Sequence, residues 1–117
     1  MDELLTRITA ETGLDTATAR RAVGSILAFL SAESDDPAVG TMIAKTPGAE
    51  EALAATGGDG YSGGGIMALG AGLMGMGLDM GQIQTVAREL VGFSRSHAGA
   101  ETVDRVIASV PGLAQFV

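Results

Sequence analysis

Shifted by 64 positions without a gap, this chain overlays on itself: Gly13-Leu14-Asp15 falls on Gly77-Leu78-Asp79. Phe29 then meets Phe93, Val39 meets Val103, Ile43-Ala44 meets Ile107-Ala108, and Pro47-Gly48 meets Pro111-Gly112. With Leu5 on Leu69 these are ten identities over 53 aligned pairs, where unrelated residues at ordinary usage give about three or four. The chain reads as an internal duplication, halves about 1–55 and 65–117, joined by the glycine-rich stretch 56–64. Such a chain is constrained to bury two copies of one pattern against each other. At 117 residues it is expected to form a single domain, because two independent units of that size would each bury too little surface.

The repeated pattern is helical. Leu4, Leu5 and Ile8 recur at helical spacing and Gly13 stops them, so a first helix is predicted from about Asp2 to Thr12. Asp15 is placed to accept the free N–H groups of a second helix, whose stripe is Ala19, Val23, Ile26, Leu27 and Leu30, running towards Glu33. Asp36-Pro37 is a further start signal, with Asp36 as cap and Pro37 as first helical residue, and Val39, Met42 and Ile43 face inward. Pro47 closes that third helix, and Gly48–Ala55 is a short fourth with Glu50 and Glu51 in its first turn. The second half repeats the plan: helices over Ile66–Met76, from the Asp79 cap to about Ser96, and over Ala100–Ser109, then a last turn over 111–116. Ile83, Val86, Ala87, Leu90 and Val91 form its long stripe. The fold class predicted is all-α, a bundle of six to eight helices around a pseudo-two-fold axis, with the two long helices and their matched Phe29 and Phe93 at its centre.

Charge and composition exclude several functions. Fourteen acidic against seven basic side chains give a net charge of −7, which repels a phosphate backbone and leaves few cations for counterion release. No nucleic-acid partner is expected, and there is no polybasic cluster for anionic lipid. The absence of cysteine removes thiolate chemistry and Cys-based metal sites. The acidic opening, Asp2-Glu3, lacks the cationic start of a secretory leader, so a cytoplasmic location is expected. Residues 61–78 carry only one charge-free run of spanning length, heavily interrupted by glycine, and no membrane span is expected there.

Several motifs imitate chemistry. Gly70-Ala71-Gly72-Leu73-Met74-Gly75 is a full GxGxxG, and Glu89 follows Gly70 by nineteen residues, as in a dinucleotide fingerprint. That site needs a strand before the glycines and a second strand carrying the acid, whereas here the repeat places both parts on helices. Gly57-Gly58-Asp59-Gly60 has part of a calcium-loop pattern but lacks the later Asp, and it reads as linker. His97, the one histidine, is placed to favour the C-terminus of the sixth helix. Asp15 and Asp79 are a matched carboxylate pair that helix capping explains without acid–base work, and Arg20 and Arg21 read as a solvated face. No catalytic, cofactor-binding or metal-ligating set is expected, and the chain is read as a non-enzyme.

The fifth helix is the unusual segment. Gly65, Gly70, Gly72 and Gly75 together cost about 3–4 kcal/mol of intrinsic helicity. Ala68, Ala71, Gly72 and Gly75 fall at i, i+3, i+4 and i+7, a small-residue stripe that lets another backbone approach, with Met67 and Met74 on one flank. Met67, Ala68, Ala71, Gly72, Met74 and Gly75 are therefore the candidate interaction face. The leading expectation is a self-associating protein–protein interaction module. The alternative is a carrier or sensor of a small apolar ligand held between the halves where glycine leaves room.

Two resemblances accompany this reading. The opening, from Met1-Asp2-Glu3-Leu4-Leu5 through Thr12-Gly13-Leu14-Asp15 to Ala19-Arg20-Arg21-Ala22-Val23, resembles the N-terminal helical pair of the bacterial histone-like HU proteins. That family continues into a β-saddle with basic, proline-tipped arms, which this sequence lacks, so DNA binding does not carry over. Over most of its length the chain is similar to small uncharacterised bacterial helical proteins with a Gly/Met-rich middle and a closing segment like Pro111-Gly112-Leu113-Ala114-Gln115-Phe116. That likeness implies an all-helical fold and leaves function open.

Overall fold

Local stop and start signals divide the chain into seven helices in a computed structural model that describes residues 2–56, 63–110 and 112–113. They are α1 (Asp2–Thr12), α2 (Thr16–Glu33), α3 (Ala38–Lys45), α4 (Ala49–Thr56), α5 (Gly65–Gly75), α6 (Met80–Ala98) and α7 (Ala100–Ser109). No strand occurs among the described residues, so the all-α class holds. The part-calcium motif at 57–60 and most of the closing segment lie outside the described residues.

Each long helix starts on its aspartate. The Asp15 carboxylate accepts the Thr18 N–H at 2.7 Å, and Asp79 accepts the Gln82 N–H at 2.8 Å. At α6 the Gln82 side chain completes a capping box by accepting the Asp79 N–H at 2.9 Å. Its amide nitrogen also donates to the Thr12 carbonyl at 2.9 Å, satisfying an orphan acceptor in the last turn of α1. Replacing Asp79 by alanine is expected to cost about 1 kcal/mol, a fall of roughly 4 °C in Tm for a domain of this size, read by calorimetry. An unchanged Tm would mean that the box is not formed. α3 starts one residue later than the dipeptide predicts: Pro37 is its cap position, and Asp36, one place before the cap, accepts the Ala38 N–H at 2.9 Å.

The predicted stripes are the core. Ala19, Val23, Ile26, Leu27 and Leu30 of α2 and Ile83, Val86, Ala87 and Leu90 of α6 are buried, with Phe29 and Phe93, in one apolar cluster that draws on all seven helices. Val91 is half-buried against it. The radius of gyration, 12.5 Å, is that of a compact globule, for which about 13 Å is usual at 100 residues.

The starts of α2 and α6, Thr16 and Met80, and the ends of α3 and α7, Lys45 and Ser109, lie 64 residues apart, whereas the other bounds of the matched helices are offset by 62, 63 or 65 residues. The first helices pack reciprocally across the halves, while α3 packs on α6 without an equally close contact of α7 on α2. α1 lies mainly on α6, α5 lies mainly on α2, and α2 meets α6 as α3 meets α7. Buried polar contacts follow the same seam. The Thr46 hydroxyl donates to the Met42 carbonyl at 2.7 Å and stands 3.3 Å from the Ser94 hydroxyl, while Ser34 and Ser109 pair at 2.6 Å.

Candidate functional site

α5 has no polar side chain to mark an outside, so packing alone decides which way it faces. Leu69 and Leu73, one turn apart, are buried, and Ile66 and Met76 pack half-buried beside them. Met67 is 83% exposed and Met74 47%, Ala71, Gly72 and Gly75 are exposed, and Ala68 is half-buried at the edge. The six candidate residues thus share the outward side of one helix. Met67 and Met74 form a ridge, and Ala71 and Gly75 followed by Ala68 and Gly72 form a smooth furrow beside it.

The furrow is open. A Cβ built on Gly70, Gly72 or Gly75 would meet nothing within 4 Å, so these glycines serve no close approach inside the described fold. Gly64 differs: it precedes α5 with φ +98°, and a Cβ there would come 2.8 Å from the Ala68 Cβ. Glycine is therefore required where the chain enters α5 and is optional for folding along its outer side.

The first half supplies an internal comparison. The positions of α1 that match Met67, Ala71 and Gly75 are Glu3, Arg7 and Glu11. They form a charged face: Glu3 and Arg7 are 70% and 57% exposed and approach at 3.4 Å, and Arg7 also reaches Glu89 of α6 at 3.9 Å. α5 carries an apolar or absent side chain at each of these places. Where α1 buries Leu4 and Ile8, α5 carries Ala68 and Gly72. α5 accordingly has little contact with α6, its own half's long helix, and leaves its small residues on the surface.

Among the described residues the space between the halves ranges from two small cavities to one larger, more open hollow of about 390 Å³ bounded by Phe29, Glu33, Gly65, Ile66 and Val110. Ile26, Leu69, Gly70, Leu73, Ile83 and Leu113 line an apolar cavity of about 20 Å³, and a second of about 20 Å³ lies near Met42, Leu90 and Val106. Each is the size of one water, while ligand pockets run to about 300–1,000 Å³. Met67 and Met74 line neither cavity and face outward. Larger hollows are open at the surface. One of about 430 Å³ is edged by Asp2, Glu3, Glu51 and His97, with Phe93 as its apolar side. His97, in the last turn of α6 as expected, is exposed and tilts against Phe93 with ring centres 4.5 Å apart.

The remaining motifs resolve into helix chemistry. GxGxxG lies wholly inside α5, so its N–H groups are spent in the helix and form no phosphate turn. Asp15 and Asp79 each cap their own helix, and the Thr18 backbone N–H holds the Asp15 carboxyl below its ordinary range. An acid–base pair sharing a proton needs the opposite shift.

One titrating cluster was not predicted. Glu89 of α6 faces Glu11 and Arg7 of α1, with Arg7 at 3.9 Å. Burial raises the Glu89 pKa first and the Glu11 carboxyl raises it further, against Arg7 and Arg88, which lower it. A carboxyl raised in the folded state binds its proton over a pH range where the unfolded chain has released it, so stability falls as pH rises through that range. Glu89→Gln removes the loss. Relative to the native chain the variant is expected to gain stability between about pH 4, near the ordinary glutamate value, and pH 7, measured by urea unfolding. A parallel pair of pH profiles would remove this assignment.

No protein-family model, no curated protein and no solved structure matches this chain. No group of three or more His, Asp or Glu side chains suited to a metal ion occurs among the described residues. No single described helix is long and apolar enough to cross a membrane.

Proposed function

We propose that this protein is a non-enzymatic interaction module that associates with a second copy of itself through the outer face of α5. The observation that carries the reading is the contrast between matched helices: the positions that bear Glu3, Arg7 and Glu11 on α1 bear Met67, Ala71 and Gly75 on α5. An uncharged helix on a chain of net charge −7 is the place where two copies meet with least repulsion. The face also carries both its own ridge and its own furrow, so a two-fold operation can set the methionines of each copy into the small residues of the other.

The size of the face sets the strength. Eleven residues of helix span about 16 Å, and one such face falls well short of the ~800 Å² per partner of a standard interface. Association is therefore weak and concentration-dependent, in the range of tens of micromolar or above.

Sedimentation of the native chain and of Gly72→Ala tests this directly. The open space at Gly72 and its helical backbone predict that alanine stabilises the monomer by about 0.5–1 kcal/mol. The same methyl fills the furrow and weakens association. A variant that gains stability and associates like the native chain would show that the α5 furrow is not the contact.

A further inference from the structure

The seam between the halves is itself built like an interface between two proteins. α1 rests chiefly on α6 and α5 chiefly on α2, so neither half holds its first helix mainly by its own long helix. Polar contacts cross the seam along its length: Gln82 to the Thr12 carbonyl at 2.9 Å, Ser34 to Ser109 at 2.6 Å, Arg105 to Asp36 at 2.9 Å and Arg7 to Glu89 at 3.9 Å. The Thr46–Ser94 pair lies buried within it. These contacts join residues more than forty positions apart, and none needs its two partners to belong to the same chain.

We infer that the seam closes equally between two chains, so that this protein forms a half-exchanged dimer in which residues 2–56 of each copy pair with residues 65–113 of the other. Such a dimer keeps every described helix contact of the monomer, each now made within a pair of half-chains drawn from two copies. This second mode leaves the outer face of α5 unused and stands independently of docking through it. A tethered half competes for its partner at an effective concentration of about a millimolar. Folding in dilute solution therefore yields monomer, and exchange becomes populated when chains fold together near that concentration.

The experiment uses the full chain with a protease site inserted between Gly58 and Asp59, carrying Ala71→Arg to block docking through α5. Met67→Lys serves as a second background should the first fail to fold. The protein is refolded from denaturant at about 1 μM and about 1 mM, and the products are weighed by native mass spectrometry before and after cutting. The expected result is a species of twice the 11.7 kDa chain mass only after concentrated refolding, which falls twofold in mass on cutting as paired half-chains separate into two complete seams. Monomer alone at the higher concentration overturns the inference. So does a dimer that keeps two-chain mass after cutting, or halves that part and lose their helical signal. Loss of association in the uncut native background, with exchange intact, would instead count against the α5 face alone.

Discussion

Ala71→Arg is expected to abolish the association proposed through α5 while leaving the monomer folded. Ala71 is exposed near the middle of the outward side, between the methionine ridge and the glycine furrow. The matched position on α1 already carries an arginine, Arg7, whose side chain is 57% exposed without disturbing its helix, so the fold has a precedent for the change. Long-range charge works in the opposite direction, because one more cation reduces a net charge of −7 and with it the repulsion between copies. Any loss of association therefore comes from the contact itself. Two guanidinium groups placed unpaired at a two-fold contact cost several kcal/mol in desolvation and mutual repulsion, and 2.7 kcal/mol of that is about a hundredfold in Kd. Sedimentation at concentrations where the native chain is half-associated should show monomer alone. Native-like association by this variant would end the proposal for α5.

The helices were legible because their punctuation is local. Asp15 and Asp79 start α2 and α6, Gly13 and Gly77 adopt φ of +76° and +99° before them, and α7 runs over the predicted Ala100–Ser109. Long stripes of large aliphatic residues at helical spacing identified the buried sides of α2 and α6 for the same reason. The orientation of α5 was less legible, since periodicity reads the outside of a helix from its polar residues and α5 has none. A finer signal was present: Leu69 and Leu73 are the two leucines of α5, one turn apart, and they are its buried residues.

Contacts between distant segments were not legible at all. Glu11 and Glu89 come from α1 and α6, and their meeting depends on α1 leaning across the seam onto α6 while still packing on α2. The Asp79–Gln82 box could be read from spacing, but not the second use of the Gln82 amide on Thr12. The sequence offers the glycines as room for another backbone or for a ligand between the halves, but it does not say on which side of a helix that room lies. At Gly72 and Gly75 the room lies on the outer side of α5, while the hollow bounded by Phe29, Gly65 and Ile66 lies between the halves.

Leu73→Ala is the change expected to cost the fold most for its size, and it tests the roll of α5 from the inside. Leu73 is completely buried and lines the small cavity beside Ile26, Leu69 and Gly70. Removing its branched end enlarges a void that rigid neighbours cannot fully close, which costs about 2–5 kcal/mol of a total stability of about 5–15 kcal/mol. The local consequence is larger than the global one. α5 is eleven residues long, below the ~12–15 at which an isolated helix is even marginal, and its glycines weaken it further. With Leu73 gone, Leu69 is the one fully packed anchor left among its described residues. Hydrogen exchange should therefore accelerate along 69–75 well before the amides of α6, and association should disappear with α5. Gly72→Ala next to it is expected to do the reverse to stability, because one residue faces the core and its neighbour faces solvent. Adjacent substitutions of opposite sign follow only if α5 is rolled as described. Equal effects at the two positions, or a cost under about 1 kcal/mol at Leu73 against the 2–5 usual for a buried leucine, would show that a different side of the helix is inside.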